Sequence, residues 1–230
     1  MELLRTSSAH VLVTSDQLSE TGAVVLDSDT EHHLRRVLRL RDGEAVSVTD
    51  GAGRWLSTRA SITGPVIRLE PTSNLVTEPA RARPITIAVA MPKGDRLDWL
   101  VQKVTELGVD RIVLLHAERS VVRWKPERTA AQLDRLQRIS DEACRQSRRV
   151  WRVSIDEPVA ATTVLGSFVV AEPGGRNLAP GDRCVAIGPE GGWSTDELDQ
   201  AAELVSLGLN ILRTETAAVA ASTLCVTFER

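Results

Sequence analysis

The residues that could do chemistry are concentrated in one glycine-rich segment, CVAIGPEGGWSTDEL, residues 184–198. Gly188, Gly191 and Gly192 permit positive φ and let a ligand lie against the bare main chain. A helix that begins after such a loop would attract an anion. However, no Lys-Ser/Thr pair follows the loop as in a P-loop, and Glu190 within it would repel a phosphate. The segment therefore favours a neutral or cationic ligand, and its simpler interpretation is a turn that only reverses the chain.

A second polar cluster lies in LGLNILRTETAAVAASTLCVTF, which begins at Leu207. The pattern predicts a short strand, the polar run Arg213-Thr214-Glu215-Thr216, and an alanine-rich helix. Thr214 or Thr216 is an ordinary N-cap, and Glu215 is a favourable charge in the first turn. The combination of this cluster with the upstream Gly-Pro-Glu-Gly-Gly is far more specific than either segment alone.

These two clusters need a sheet to position them, and the sequence from residue 84 onward predicts one. Strand and helix patterns alternate in the order PITIAVAMP, DRLDWLVQKVTEL, RIVLLH, a long helix from near Pro126, VWRVSI, a short helical segment near Val159, SFVVAE and CVAIG. This alternation is typical of an α/β fold with a largely parallel sheet. The glycine-rich segment would then lie at the carboxyl edge, where open α/β folds bind ligands.

The helix predicted after the glycine-rich segment has a marked start. Ser194 and Glu197 fit the capping box S-x-x-E. The apolar residues of this predicted helix are Leu198, Ala201, Ala202 and Val205. Their spacing is that of one buried helical face.

The chain before about residue 75 has a different pattern of apolar segments and turns. Its apolar segments are short and bounded by turn formers such as Asp42-Gly43 and Asp50-Gly51, as in a small antiparallel barrel. One helix interrupts them, with Asp29 or Thr30 as the predicted cap. The apolar residues of that helix are Leu34, Val37 and Leu38, and its basic residues, at i, i+3, i+4 and i+7, are His32, Arg35, Arg36 and Arg39. Taken alone, such a basic stripe is a solvated helix face.

Composition excludes several classes of protein. With 230 residues and 42% apolar residues, the chain can bury a core. Its net charge of −3 argues against bulk polyelectrolyte binding, although the arginines are clustered. Three widely spaced cysteines and four histidines offer no metal-ligand spacing, so no metal is expected. No segment reads as a signal peptide or a membrane span, which predicts a cytoplasmic protein.

The motifs resemble those of the small-subunit ribosomal RNA methyltransferase E family, uridine-N3 methyltransferases of the SPOUT superfamily. The most specific ones are IGPEGG and ILRTETA. HLRRVLRLRDGEAVSVTDGAG, residues 33–53, resembles the family's PUA-like segment. MPKGDRLDWLVQKVTELGVDRIVLLHAERSVV and EACRQSRR resemble its central motifs.

The resemblance implies a fold, a cofactor and partners. The fold is an α/β protein with an N-terminal PUA-like β-barrel that binds RNA (1–74), a linker (75–83) and a C-terminal SPOUT methyltransferase domain with a deep trefoil knot (84–230). The cofactor is S-adenosyl-L-methionine, and the chain forms a homodimer. The substrate is 16S ribosomal RNA, either as naked RNA or in the small ribosomal subunit.

The resemblance also implies site residues. The cofactor-binding residues are Ala171, Glu172, Ile187, Gly188, Pro189, Glu190, Gly191, Gly192, Leu207, Gly208, Leu212, Arg213, Thr214, Glu215, Thr216 and Ala217. The RNA-binding residues are His32, Arg35, Arg36, Arg39, Arg119, Arg148 and Arg149. The catalytic candidates are Arg148, Glu190 and Arg213. Uridine N3 must lose a weakly acidic proton before it attacks, so Glu190 is a candidate base and the arginines could hold the anionic base edge.

Each catalytic candidate has a structural alternative: Glu190 could brace its loop, Arg213 could form a salt bridge, and Arg148 lies near a helix C-terminus, where cations are favoured. The sequence also departs from the family, with Leu209-Asn210 where Pro-Arg is usual and Arg148 where Gly is usual. Among the tryptophans, Trp193 is the one to test for base stacking. Three other functions stay open: a non-catalytic RNA-binding relative, an α/β enzyme that uses another nucleotide, and a SPOUT methyltransferase with another RNA target.

Overall fold

The computed structural model describes residues 2–18, 22–64 and 66–228, which form two compact units. The first unit contains the described residues up to Arg81 together with Cys144–Arg152. The second contains Ala82–Ala143 together with the described residues from Val153 onward. Among the helices of these ranges, none has the length and apolar character needed to cross a bilayer.

A five-stranded sheet organises the first unit. Its strands are β1 (Ala9–Leu12), β2 (Ala45–Thr49), β3 (Arg54–Thr63), β4 (Val66–Pro71) and β5 (Val76–Thr77). β2, β4 and β5 each pair with β3 in antiparallel orientation, whereas β1 pairs with β2 in parallel. The expectation of an entirely antiparallel sheet is therefore wrong for β1. The helical connection between β1 and β2 lets the chain re-enter the sheet in the same direction.

The helical segments of the first unit are α1 (Glu2–Thr6), α2 (Ser28–His32) and a π-helix (His33–Val37). The N-cap of α2 is Asp27, rather than Asp29 or Thr30, and its carboxylate accepts a hydrogen bond from the Thr30 amide at 2.7 Å. Val37 and Leu38, which were predicted to be apolar contacts of an α-helix, are 62% and 47% exposed. The wider π-helical turn changes which residues share a face, and the α-helical periodicity does not anticipate this.

The segment Cys144–Arg152 packs against the turn between β2 and β3 within the first unit. The Gly53 amide donates a hydrogen bond to the Val150 carbonyl oxygen at 2.9 Å. Gly53 has φ of +89°, and a Cβ atom there would lie 2.3 Å from the Trp151 ring. Only glycine fits this close approach.

His10 on β1 lies at the centre of a buried hydrogen-bond network. Its Nε2 atom is 2.9 Å from the Arg149 carbonyl oxygen, and its Nδ1 atom is 2.7 Å from Ser47 Oγ. Because a carbonyl only accepts, Nε2 carries the proton and Nδ1 accepts from the Ser47 hydroxyl. Ser7 Oγ lies 2.9 Å from Ser47 Oγ and accepts a hydrogen bond from Arg148 Nη1 at 3.2 Å. The network thus ties Cys144–Arg152 to β1 and β2.

A six-stranded sheet forms the centre of the second unit, in the order β11-β9-β10-β6-β7-β8. Its strands are β6 (Thr86–Ala90), β7 (Arg111–His116), β8 (Ser154–Ala160), β9 (Val169–Asn177), β10 (Cys184–Ile187) and β11 (Glu203–Ser206). Every neighbouring pair is parallel. This confirms the predicted α/β class with a parallel sheet.

Helices cover this sheet. They are α3 (Arg96–Leu107), α4 (Pro126–Ser147), α5 (Thr195–Leu198) and α6 (Thr214–Thr227), with 3₁₀ turns at Ala161–Thr163 and Leu165–Ser167. α3 buries the predicted residues Leu97, Leu100, Val101 and Val104. It ends at Gly108, whose φ of +105° supplies the left-handed C-cap. α6 packs against α3, which its alanine-rich sequence permits.

The helix predicted after the glycine-rich segment is wrong beyond its first turn. The capping box of Ser194 and Glu197 is present, but α5 ends at Leu198. The chain then forms β11, in which Val205 is fully buried and pairs with Arg176 of β9. Pairing with β9 therefore overrides the helical spacing of the apolar residues. The strand predicted from Leu207 onward is misplaced, because the observed strand β11 lies just before it, at Glu203–Ser206.

Candidate functional site

The two chemical segments meet at the carboxyl edge of the second sheet. The glycine loop, residues 188–193, follows β10, and the connecting loop, residues 207–213, joins β11 to α6. The Thr214 hydroxyl, at the first residue of α6, donates a hydrogen bond to the Gly188 carbonyl oxygen at 2.9 Å. The structure thus brings together the starts of the two motifs that the sequence singled out.

The glycine loop is packed tightly at its first residue. A Cβ atom on Gly188 would lie 2.9 Å from the indole of Trp193. That indole is only 4% exposed, and its Nε1 atom donates to the Ala171 carbonyl oxygen on β9 at 3.2 Å. The interpretation of Trp193 as a base-stacking residue is therefore wrong, because its ring is part of the core that supports the loop.

Three hydrogen bonds hold the far end of the glycine loop. The buried Glu197 carboxylate accepts from the Ser194 amide at 2.9 Å and from the Glu118 amide at 2.8 Å. The Arg119 guanidinium donates to the Gly191 carbonyl oxygen at 3.1 Å. The segment after β7 therefore braces the loop, and Arg119, a predicted RNA-binding residue, makes one of the contacts.

Acidic and basic side chains lie beside the glycine loop. Arg96 Nη1 lies 3.0 Å from Glu190 Oε1, and Arg96 Nε lies 3.9 Å from Glu215 Oε1. Burial raises the pKa of Glu172 above its ordinary value. The sequence analysis did not identify Arg96 as a site residue, although its segment GDRLDWL, residues 94–100, follows β6 at the same edge of the sheet.

A cavity of about 540 Å³ opens beside this ion pair, between the start of α3 and the start of α6. We call it the α3 cavity, and its lining residues are Lys93, Asp95, Arg96, Trp99, Glu215 and Thr216. Only the last two of these were predicted site residues. No group of metal-binding side chains occurs within the described ranges.

The remaining predicted cofactor residues differ in exposure. Ile187, Pro189 and Ala217 are buried, Leu207 and Leu212 are partly buried, and Gly192, Gly208, Arg213 and Thr216 range from partly buried to exposed. Arg213 is the N-cap residue of α6, and its side chain makes no capping hydrogen bond. In the connecting loop, Leu209 is fully exposed and Ile211 is 89% exposed.

The predicted RNA-binding residues of the first unit do not form one α-helical stripe. His32 ends α2, Arg35 and Arg36 lie in the π-helix, and Arg39 lies beyond it with φ of +52°. The expected i, i+3, i+4, i+7 alignment is therefore wrong. His32, Arg36 and Arg39 are exposed, whereas Arg35 is partly buried.

Arg148 also belongs to the first unit and has φ of +58°. Its hydrogen bond to Ser7 gives it a structural contact, and the Arg149 carbonyl oxygen accepts from His10. Glu190 and Arg213 belong to the second unit.

Comparisons with known proteins agree with this arrangement. A family model described as an RNA methyltransferase domain matches residues 79–226, and one described as an RNA methyltransferase PUA domain matches residues 26–58. A ribosomal RNA small subunit methyltransferase E from Synechocystis is 34% identical, over 90% of this chain and 74% of that protein. Its counterpart from Mycobacterium bovis is 32% identical, over 90% of this chain and 87% of that protein.

A solved structure gives the same result. The ribosomal RNA small subunit methyltransferase E from Neisseria gonorrhoeae, bound to S-adenosyl methionine, superposes with a TM-score of 0.78. It is 28% identical, and the match covers 94% of this chain and 95% of that one. The parallel sheet with its two joined loops, the family models and these relatives together show that the chain belongs to the ribosomal RNA small subunit methyltransferase E family.

Proposed function

We propose that the protein transfers a methyl group from S-adenosyl-L-methionine to N3 of a uridine in 16S ribosomal RNA. The observation that carries this proposal is the hydrogen bond between Thr214 and Gly188, which joins the two motif loops at the carboxyl edge of a parallel sheet. Relatives named as small-subunit ribosomal RNA methyltransferases, one of them bound to this cofactor, support it.

The residues at this edge fit a cationic methyl donor. Glu172 is partly buried, and burial raises the pKa of its carboxyl above the ordinary value. When bound, S-adenosylmethionine supplies a methyl group on a positively charged sulfur, which becomes a neutral thioether after transfer. Acidic side chains and main-chain carbonyls suit that charge better than they suit a phosphate. The predicted cofactor-binding residues, from Ala171 to Ala217, remain our assignment, with the exception of Glu215, whose side chain lines the α3 cavity.

The chain's own contribution is positioning and proton removal. A displacement at a methyl carbon needs the acceptor nitrogen held in line, and uridine N3 needs to lose its proton. The ion pair with Arg96 supports a bracing role for Glu190, because it already satisfies one carboxylate oxygen. We assign Arg213, which is exposed at the start of α6, to hold an anionic base edge, and Arg148 stays a candidate for RNA contact.

Three further assignments accompany this function. We assign the trefoil knot from the family membership, and the strand order, in which β10 lies between β9 and β6 and β11 lies outside β9, is compatible with it. We also assign a homodimer, with the exposed Leu209 and Ile211 as the candidate interface residues. The PUA-like barrel and the basic residues of the first unit are assigned to RNA binding, in the cytoplasm, where ribosomes are assembled.

The test is methyl transfer to a defined nucleoside. Purified protein is incubated with labelled S-adenosylmethionine and small ribosomal subunits, or their naked RNA, from a strain that lacks the modification, and the RNA is digested to nucleosides. We expect the label in 3-methyluridine. Label in another nucleoside would assign another target. If the protein binds the cofactor but labels neither the subunits nor the naked RNA, it would be a non-catalytic RNA-binding relative.

A further inference from the structure

The α3 cavity has the size and composition of a small-ligand site. Its volume of about 540 Å³ falls within the usual range for such pockets, roughly 300–1,000 Å³. It contains an aromatic ring (Trp99), two carboxylates (Asp95 and Glu215) and two cationic side chains (Lys93 and Arg96). It adjoins the glycine loop through the ion pair between Arg96 and Glu190.

The carboxylate of Glu215 lacks the hydrogen bonds that such a buried group normally has. Its side chain is 13% exposed, and Oε2 is buried with no partner among the described residues. Oε1 lies 3.9 Å from Arg96 Nε, beyond hydrogen-bond distance. Buried polar atoms are nearly always satisfied, and an unsatisfied one is destabilising. Glu215 also lines the α3 cavity, so an N–H donor in the cavity can hydrogen-bond to this carboxylate through Oε1, or through Oε2 after the side chain turns outward.

The ring of Trp99 supplies a surface for a planar ligand. Its neighbours Leu100 and Val101 on α3 are fully buried, whereas Trp99 is 44% exposed. A large aromatic side chain at the wall of a cavity provides a stacking face for a nucleobase. Lys93 is exposed at the same wall and forms no ion pair with a described residue, so its amine can approach a carbonyl or phosphate oxygen.

These groups complement the edge of uracil. Its N3–H lies between two carbonyl oxygens, so a carboxylate acceptor flanked by cations matches its pattern of hydrogen-bonding groups. Cytosine carries no hydrogen on N3, and a carboxylate facing that atom would repel its lone pair. A cavity with this arrangement of groups would favour uracil over cytosine.

We propose that the α3 cavity holds the target uracil, with Trp99 stacking on the ring and Glu215 accepting the N3 proton; this inference rests on the proposed function. The N3–H bond breaks, the proton passes to a carboxylate oxygen of Glu215, and the electron pair stays on N3. That pair forms the bond to the donor methyl carbon, while the carbon–sulfur pair remains on sulfur. The base must leave its stack to enter the cavity.

The experiment compares Glu215→Gln with the wild type on two RNAs, one of which contains 5-fluorouracil in place of uracil. Fluorine withdraws electrons, so N3 of the substituted base loses its proton more readily. On ordinary RNA, we expect the single-turnover rate of Glu215→Gln to fall about 100-fold or more. On the fluorinated RNA, and at higher pH, we expect most of that loss to be recovered, because N3 then ionises without a base.

Matched variants make the result specific. Glu106→Gln, at the other end of α3 in an ion pair with Lys103, is the carboxylate-to-amide control and should keep the wild-type rate on both RNAs. Calorimetric affinity for S-adenosylmethionine should change less than about threefold in Glu215→Gln, and circular dichroism should show the native fold. For Trp99→Ala we expect the KM for RNA to rise about tenfold, with recovery in Trp99→Phe.

The outcomes separate this inference from the proposed function. Absence of 3-methyluridine from the wild-type reaction overturns the proposed function and, with it, the inference. If the wild type makes 3-methyluridine, three results each overturn the inference alone. These are a loss in Glu215→Gln that 5-fluorouracil does not recover, a fall in cofactor affinity as large as the fall in rate, and a recovery seen for Glu190→Gln instead. A change of oligomeric state in Trp99→Ala would assign that ring to an interface and would also overturn it.

Discussion

Lowering the pH should destabilise the first unit through a single imidazole, that of His10. Burial lowers its pKa to about 4 from an ordinary value of 6.5, and the charges of Arg148 and Arg145 add to this effect. The carbonyl of Arg149 opposes it. Between these two pKa values the unfolded chain binds a proton that the folded chain does not, so stability rises with pH. The stabilisation is fully present above pH 6.5 and is lost as the pH falls toward 4.

The size of the effect follows from the two pKa values. A difference of one pKa unit between the folded and unfolded states corresponds to about 1.36 kcal/mol. Once the pH is below both pKa values of His10, the free energy of unfolding is therefore lower by about 3 kcal/mol. At pH 5, where the unfolded imidazole is largely charged and that of His10 is largely neutral, the loss relative to pH 7 is about 2 kcal/mol. This is a large fraction of the stability of a small domain.

Urea denaturation at fixed temperature, followed by tryptophan fluorescence at several pH values between 7 and 4.5, measures this loss. The variant His10→Gln removes the imidazole, so its stability should be lower at pH 7 but should fall by about 2 kcal/mol less between pH 7 and pH 5. His32→Gln is the control, since it removes an exposed histidine without opening the buried network. Equal pH dependence in wild type and His10→Gln would refute the reasoning.

Three other substitutions test the site and its surroundings. Gly188→Ala places a Cβ atom 2.9 Å from the Trp193 ring, which distorts the glycine loop. We therefore expect calorimetry to show cofactor affinity reduced by about tenfold or more. The control Gly166→Ala, whose Cβ atom would lie 3.6 Å from its nearest neighbour, should bind the cofactor normally. Glu197→Ala leaves two main-chain amides without their acceptor and should lower the free energy of unfolding by about 2–4 kcal/mol in urea titrations. Leu209→Glu should shift the proposed dimer toward monomer in analytical ultracentrifugation, and an unchanged dimer would exclude this loop from the interface.

Local patterns predicted the elements whose periodicity and tertiary environment agree. α3 has an apolar face, a left-handed glycine at its end and a buried strand on each side, and each of these is present in the structure. The capping box at Ser194 was also read correctly, because its two hydrogen bonds connect residues three positions apart. Such short-range interactions leave a direct signature in the sequence.

The failures arise where distant contacts decide the structure. Residues 201–205 have helical spacing, yet pairing of β11 with β9 makes Val205 a strand residue. The π-helix at His33–Val37 and the association of Cys144–Arg152 with the first unit have no signal in the local pattern.

The same limit applies to the candidate site. The motifs identified Gly188 and Thr214, which lie in contact. Trp99 and Arg96 were missed because nothing in the sequence of α3 indicates that α6 will begin beside them. The unsatisfied carboxylate oxygen of Glu215 is a property of three-dimensional packing alone.

The discontinuity of the first unit constrains the order of events during translation. Its sheet strands are complete once Thr77 has been synthesised, but Val150 and Trp151, which contact the β2–β3 turn, are added only after β6, β7 and α4. Domains usually fold as units from the N-terminus as the chain emerges from the ribosome. Here the nascent N-terminal sheet must wait, with the turn around Gly53 uncovered, until more than half of the polypeptide has been made. A gene truncated after Arg81 would therefore encode an incomplete first unit, because Cys144–Arg152 would be missing.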